Sequence, residues 1–153
     1  MATLTIPCLD AALDALVADH EVAASFAALV QERGPAYYGR TMEAGGCLII
    51  AEALRRILGG ALIPISVRSS GATRVVEHIV IAVEAPDGPR WIDRFGMHED
   101  LDDLLHWLED DADFDRPQAE PAVTADAMAD RLLYSSALVE AAVTRLRAAF
   151  ARC

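Results

Sequence analysis

The sequence predicts an α+β domain in which helices flank a small antiparallel sheet. Apolar residues recur at helical spacing over residues 9–33 and again over residues 124–151. Between them, residues 62–94 are rich in β-branched residues, in runs that turn-forming residues separate. Helices, then neighbouring strands, then helices are typical of the α+β class. The chain has 153 residues, and we expect residues 1–153 to form one domain with a substantial core.

Three helices are predicted before the first strand. Residues 9–33 contain two apolar stripes, with Asp19 placed between them as a cap for the second helix. A loop over residues 34–46 follows, because it starts at a Gly-Pro pair. The third helix is predicted from Cys47 to Leu58 and ends at a Gly-Gly pair. On this helix we expect three charged side chains to face water: Glu52, Arg55 and Arg56.

Three strands are predicted next, over residues 62–67, 74–84 and 90–94. Turn signals at residues 69–72 and 86–89 separate them. The second strand is apolar on both faces, which indicates a central strand that is covered on both sides. Its two predicted faces are Val75, Ile79, Ile81 and Val83, and Val76, Val80 and Ala82.

The last third of the chain is predicted to be helical. Residues 99–110 form an acidic helix, and residues 111–121 form a charged connection. Residues 124–151 lack glycine and proline and form one or two helices, with a break near Ser135-Ser136. These C-terminal helices are also a candidate surface for a homodimer.

Composition excludes several function classes. The net charge of −11 repels phosphate backbones, which argues against nucleic-acid binding. The chain has no lysine, which excludes a Schiff-base or Ser–Lys mechanism. The apolar runs are too short for a membrane span, and the first residues lack the pattern of a signal peptide, so we expect a cytoplasmic protein. The three cysteines are unpatterned, so we expect no disulfide and interpret Cys8 and Cys153 as incidental.

The stretch Gly45-Gly46-Cys47 carries the strongest functional signal. The unpaired N–H groups and partial positive charge of a helix N-terminus favour the thiolate form of a cysteine, which is the nucleophilic form. The glycines would leave room for a substrate and let backbone N–H groups point at an oxyanion. Downstream, His78 can act as general base, and Asp93 can accept from its other ring nitrogen and fix its orientation.

These residues resemble the papain-like superfamily, in particular its transglutaminase-like and NlpC/P60-like branches. The resemblance rests on Gly45-Gly46-Cys47 opening a helix, His78 in a strand and Trp91-Ile92-Asp93 on the next strand, and it covers about residues 45–96. It implies a Cys–His–Asp triad in an α+β fold, with N-terminal helices, a central cysteine-bearing helix packed on a small antiparallel sheet, and C-terminal helices. No cofactor or metal is implied.

The oxyanion donor is less well indicated. Papain has a glutamine a few residues before its cysteine, whereas the nearest upstream glutamine here is Gln31, which is too distant to match. The backbone N–H of Cys47 is the preferred donor. Further candidates for oxyanion stabilisation or substrate binding are Gly46, Tyr38, Thr41 and Trp91.

The third triad member depends on strand register. A symmetrical hairpin about Asp87-Gly88 pairs Asp93 with Ala82, which puts Asp93 on the same face as His78 but about 13 Å away along the strand. A bulge or a slipped register must close this gap. His98 follows the third strand and is a competing partner for the site.

The sequence therefore favours a cysteine hydrolase or acyl-transferase that acts on an amide or thioester, such as a peptide, an isopeptide or a glutamine side chain. Three alternatives stay open. Cys47 and His78 can be ordinary core residues. Together with Asp93 they can be zinc ligands, although the familiar paired spacings are absent. The chain can also be a non-catalytic acidic adaptor or inhibitor that its charge steers to a basic protein partner.

Overall fold

A computed structural model describes residues 5–68, 73–107 and 117–153. It confirms the predicted α+β class and its order of helices, sheet and helices. The elements are α1 (Leu9–Ala18), α2 (His20–Arg33), a 3₁₀ turn (Pro35–Tyr37), α3 (Cys47–Leu58), β1 (Ala61–Val67), β2 (Val75–Ala85), β3 (Gly88–Asp93), β4 (Gly96–His98), α4 (Leu101–Trp107), β5 (Gln118–Ala119), α5 (Ala125–Met128) and α6 (Ser136–Ala151).

The helix cap, helix bounds and helix break that the sequence predicts are confirmed. Asp19 caps α2, since its Oδ1 accepts from the Val22 N–H at 3.0 Å. Helix α3 starts at Cys47 and ends at Leu58, as predicted. The break near Ser135 is confirmed, because Ser135 caps α6 and accepts from the Leu138 N–H at 3.3 Å.

The sheet has five antiparallel strands in the order β4-β3-β2-β1-β5. The sequence predicted β1, β2 and β3 but not the two edge strands, β4 and β5, which are only three and two residues long. Strand β2 is central, as predicted. The turn expected at residues 69–72 and most of the connection expected at 111–121 lie outside the described residues.

A bulge interrupts the pairing of β1 with β2. Ile65 pairs with His78, but the next residue, Ser66, pairs with Val76, so Glu77 is the extra residue of the bulge. Because an extra residue reverses the alternation of side chains, Val76 packs on the main core. The predicted faces are therefore wrong at this end of β2. They also fail at Val75, which is exposed.

The main apolar core lies between the sheet and the helices. Helix α3 is its centre and packs against β2 on one side and α6 on the other. A smaller cluster of Ile65, Val80, Leu104 and Leu105 covers the opposite face of the sheet, with Trp91 packed against it. The apolar side of α6 is used within the chain against α3 and α1. Within the described ranges, no helix is both long and apolar enough to cross a lipid bilayer.

The predicted exposure of Glu52 is wrong, because this residue is only 4% exposed. Arg55 donates from Nε to Oε2 and from Nη2 to Oε1, both at 2.7 Å, and Arg56 donates from Nε to Oε1 at 3.2 Å. The hydrogen bonds from Arg55, together with those from Arg56, outweigh burial and lower the pKa of Glu52. Two guanidinium groups therefore make a buried carboxylate tolerable on a helix that is surrounded by other elements.

The expectation of no disulfide is also wrong. Cys8 and Cys153 form one, with 6.2 Å between their Cα atoms and a sequence separation of 145 residues. The packing of α1 against α6 brings the start of one helix near the end of the other. Cys47 is thereby the free cysteine of the chain.

Replacing Glu52 by glutamine should destabilise the protein by about 2 kcal/mol, because Glu52 accepts three charge-assisted hydrogen bonds and an amide accepts on one oxygen only and carries no charge. Urea unfolding followed by circular dichroism measures the change. Glu32→Gln, on the exposed side of α2, is the matched control and should shift the midpoint little. Equal effects of the two substitutions would contradict the account of Glu52.

Removing the disulfide with Cys8→Ser should lower the free energy of unfolding by about 2–5 kcal/mol, because the bond closes a very long loop. Thermal unfolding with and without a reducing agent tests this. The reducing agent should lower the Tm of the wild type and leave that of the double variant Cys8→Ser/Cys153→Ser unchanged. A reductant-insensitive wild type would show that the bond contributes nothing.

Candidate active site

Cys47 is the first residue of α3 and is partly exposed. Gly46 precedes it and provides no side-chain cap. The first helical hydrogen bond runs from the Ile50 N–H to the Gly46 carbonyl at 2.9 Å. In the part of the chain that the structure describes, the N–H groups of Cys47, Leu48 and Ile49 have no acceptor. The thiol therefore sits at a helix N-terminus whose donors and partial positive charge are available to a ligand.

The two glycines before Cys47 are required by loop packing. A Cβ on Gly46 would lie 2.6 Å from the Met42 carbonyl oxygen, and one on Gly45 would lie 2.9 Å from the Arg40 Cβ. The Gly46 N–H donates to the Met42 carbonyl at 3.1 Å, so it is already used within the protein. The Cys47 N–H is accordingly the better-placed oxyanion donor.

The register of the β2–β3 hairpin differs from the predicted one. The chain turns at Pro86-Asp87, so Ala82 pairs with Trp91 and not with Asp93. Proline at the second position of a four-residue turn and glycine at the fourth is a preferred arrangement. The resulting slip of two residues moves Asp93 along its strand toward His78.

With this register, His78 and Asp93 are in direct contact. The Nε2 atom of His78 lies 2.8 Å from Oδ2 of Asp93, and the Asp93 side chain is 1% exposed. The bulge at Glu77 adjoins His78, and bulges of this kind redirect side chains near functional sites. The gap that the symmetrical hairpin implied is thus absent.

Asp93 holds a second histidine as well. Its Oδ1 lies 3.0 Å from Nε2 of His98 and accepts from the Phe95 N–H at 2.9 Å. The sequence left open whether His98 competes with Asp93 for the site. In the structure His98 does not replace Asp93 but contacts its other oxygen. The carboxylate is fixed on both oxygens, by β2 on one side and by the β3–β4 hairpin on the other.

The charges of these groups reinforce one another. Burial disfavours the charged imidazole, but the hydrogen bond with Asp93 and the interaction with Cys47 outweigh it and raise the pKa of His78 to about 9. Burial likewise opposes the charge on Asp93, and the hydrogen bonds from His78 and His98 outweigh it and hold the pKa of Asp93 below its usual range. At neutral pH the pair is an imidazolium and a carboxylate.

Cys47 lies close enough to His78 for its thiol to contribute to the raised pKa of that imidazole. Since Nε2 of His78 is engaged by Asp93, the ring nitrogen that remains for Cys47 is Nδ1. An imidazole oriented by a carboxylate on one nitrogen and adjacent to a thiol on the other can take up and return the thiol proton.

A solvent-accessible cleft of about 180 Å³ opens beside Cys47. Its walls come from the loop before α3, the bulged start of β2 and the segment between α5 and α6. Besides Cys47, it is lined by Tyr37, Arg40, Gly45, Val76, Glu77, Arg131, Leu132 and Leu133.

Of the predicted site residues, only Cys47 lines this cleft, and Gly46, His78 and Asp93 are not among its lining residues. The three predicted substrate-binding side chains do not line it either. Tyr38 is 54% exposed next to the lining residue Tyr37. The hydroxyl of Thr41 accepts from the Ala44 N–H at 3.2 Å and faces a different depression. Trp91 packs on the smaller apolar cluster across the sheet. Their assignment to the substrate rests on the sequence alone.

Arg33 holds two of the cleft walls together. Its guanidinium lies over the Tyr37 ring at 5.3 Å and donates to the Ala129 carbonyl at 3.1 Å. Arg94 joins the loop before α3 to the sheet, since its guanidinium forms a salt bridge with Glu43 at 3.2 Å.

The wall segment 131–133 could not be recognised from the sequence, because it carries no motif and lies far from Cys47 along the chain.

The site is not arranged for a metal ion. Across the described ranges, no three His, Cys, Asp or Glu side chains are placed to hold one. The Nε2 atoms of His78 and His98 are both directed at Asp93.

Comparison of the chain with protein-family models, with curated proteins and with solved structures finds no match.

The raised pKa of His78 predicts a loss of stability in mild alkali. The pKa of the imidazole is about 9 in the folded protein and 6.5 in the unfolded chain. The stabilisation that the charged His78 gives to the folded state is therefore complete below pH 6.5 and disappears as the pH rises through 9. The loss should be up to about 3 kcal/mol. Asp93 acts oppositely, and its contribution is lost in acid.

Urea unfolding across this pH range is the measurement. His78→Gln should flatten the alkaline decline, whereas the control His20→Gln, at an exposed position, should retain it. The same decline in His78→Gln as in the wild type would contradict this assignment.

Proposed function

We propose that this protein is a cysteine-dependent hydrolase or acyl-transferase that acts on an amide or thioester through Cys47, His78 and Asp93. The observation that carries the proposal is a partly exposed thiol that interacts with an imidazole, which in turn contacts a buried carboxylate at 2.8 Å. Peptide, isopeptide and glutamine side-chain amides all fit this chemistry.

In the first half-reaction the Cys47 sulfur attacks the carbonyl carbon, and a C–S bond forms as the carbonyl oxygen becomes an oxyanion. The free N–H groups at the start of α3 are the donors for this oxygen. The His78 imidazolium then gives its proton to the leaving nitrogen or sulfur. The bond to the leaving group breaks, and the acyl group remains on Cys47 as a thioester.

In the second half-reaction His78 takes a proton from water or from an acceptor amine, which attacks the thioester. The C–S bond breaks and Cys47 regains its starting form. Asp93 keeps the imidazole oriented and stabilises its charge in both halves. Water as the attacking group gives hydrolysis, and an amine gives acyl transfer.

A papain-like relationship is part of this proposal. It is supported by the chain order of cysteine, histidine and aspartate, and by a cysteine-bearing helix that packs on an antiparallel sheet. The departure from papain is the missing upstream glutamine, which leaves the backbone N–H groups of α3 as the oxyanion donors in this scheme.

The alternative of a non-catalytic acidic adaptor rests on the net charge of −11. An accessible thiol in an open cleft favours the enzyme, because an adaptor on the same scaffold has no need of it. The dimer through the C-terminal helices is less favoured, since α6 uses its apolar side within the chain.

We propose a cytoplasmic site of action from the sequence. The Cys8–Cys153 disulfide is the observation that argues against it. Disulfides persist mainly in oxidising compartments. Trapping of free thiols in intact cells tests this, because a cytoplasmic protein should yield reduced Cys8 and Cys153 and an exported one should yield the bond.

The proposed role of Cys47 is tested by the rate at which iodoacetamide modifies it, followed by intact mass. At pH 6 the wild type should react at least about tenfold faster than glutathione, because a helix N-terminus and an adjacent imidazolium activate a cysteine for nucleophilic attack. His78→Gln should remove this advantage. The control His20→Gln should keep it.

Acyl transfer is tested with para-nitrophenyl acetate. Cys47 should acquire one acetyl group, Cys47→Ala should acquire none, and His78→Gln should slow the reaction by about 100-fold or more. A wild type that reacts at the rate of glutathione in both assays would refute the proposed activity.

A further inference from the structure

Two arginines line the cleft beside Cys47, Arg40 and Arg131. Among the residues that the structure describes, neither guanidinium has an ion pair or hydrogen bond. Most other arginines are engaged, namely Arg33, Arg55, Arg56, Arg74, Arg90, Arg94 and Arg145. Arg40 and Arg131 are exposed, as are Arg147 and Arg152, which also lack a side-chain partner among the described residues. What distinguishes Arg40 and Arg131 is that they stand uncommitted beside Cys47.

The charge balance of the cleft also differs from that of the chain. The whole sequence has 24 acidic and 13 basic residues, whereas the cleft is lined by two arginines and one carboxylate, that of Glu77. Within the described residues, Glu77 forms no ion pair with either arginine. A local positive charge in an acidic protein attracts an anion and concentrates it at this site.

The position of Arg40 is built into the loop. Its Cβ and Cδ lie 2.9 and 3.4 Å from where a Cβ on Gly45 would be, so the absence of that Cβ lets the Arg40 stem rest against the residues before Cys47. Arg131 belongs to a different wall, the segment between α5 and α6, where Arg33 fixes the neighbouring backbone at Ala129. The two arginines thus approach the cleft from separate walls.

The remaining walls are apolar and come from Tyr37, Val76, Leu132 and Leu133. A volume of about 180 Å³ accepts a group the size of a side chain, since pockets for drug-sized ligands exceed about 300 Å³. An aliphatic stem fits such walls, and a guanidinium pairs best with a planar carboxylate.

We infer that the cleft selects acyl donors whose acyl part carries a carboxylate on a short aliphatic stem, and that Arg40 and Arg131 determine this specificity. The inference rests on the proposed function, because it assumes that Cys47 is the nucleophile. A glutamate-like or C-terminal carboxylate next to the reacting carbonyl has the required form.

The matched reagents iodoacetate and iodoacetamide test the inference, since they differ only in charge at the group that enters the cleft. The measured quantity is the ratio of their rates on Cys47, divided by the same ratio for glutathione. We expect a normalised ratio above about ten in the wild type. Each of Arg40→Gln and Arg131→Gln should lower it about threefold, and the double variant about tenfold.

Three controls make the assay specific. Arg147→Gln removes an exposed arginine on α6 and should leave the ratio unchanged. Glu77→Gln should raise it. The His78 imidazolium also attracts iodoacetate, but it is present in every variant, so the change between variants reports the arginines. Unchanged iodoacetamide rates show that the variants are folded.

Binding without reaction gives a second readout. Free glutarate at constant ionic strength should slow iodoacetamide modification of the wild type and not of the double variant. Equal normalised ratios in the wild type and the double variant, or equal protection by glutarate, would overturn the inference. Slow modification by both reagents with the ratio intact would instead refute the activated Cys47 and leave the anion site standing.

Discussion

The arrangement of the whole site depends on one buried carboxylate, that of Asp93. A charge that is 1% exposed is unfavourable unless it is paired and hydrogen-bonded. His78, His98 and the Phe95 N–H supply these partners from β2, β4 and the turn between β3 and β4. The same contacts that make the carboxylate tolerable therefore fix the hairpin, orient the imidazole and set its charge. Stability and the proposed chemistry share one interaction.

What the sequence could predict was local. The cap at Asp19, the bounds of α3 and the break at Ser135 follow from preferences that act within a few residues, and all three are confirmed. The candidate nucleophile was visible for the same reason, because glycines and a cysteine at a helix start form a local pattern. The short edge strands β4 and β5 carry too few residues to show a period.

What the sequence could not predict depends on contacts between distant residues. The bulge at Glu77 arises from how β1 meets β2, and it reverses the faces assigned to Val75 and Val76. The hairpin register depended on the position of one turn. A shift of one residue in that turn moved Asp93 by two residues along β2, toward His78. The Cys8–Cys153 bond joins ends that only the packing of α1 on α6 brings near.

The pairing of charges links the fold to the cleft. Buried Glu52 needs two arginines, and Arg33 and Arg94 hold the loop, the sheet and the cleft walls together. An acidic chain without lysine has few cations, and the fold uses most of those described in fixed contacts. A guanidinium that stays uncommitted beside a nucleophile gives up a stabilising pair that the many carboxylates of this chain could provide. Water can solvate both guanidinium groups in the cleft, because Arg40 and Arg131 are exposed. They therefore remain available to pair with the carboxylate of a ligand that enters the cleft.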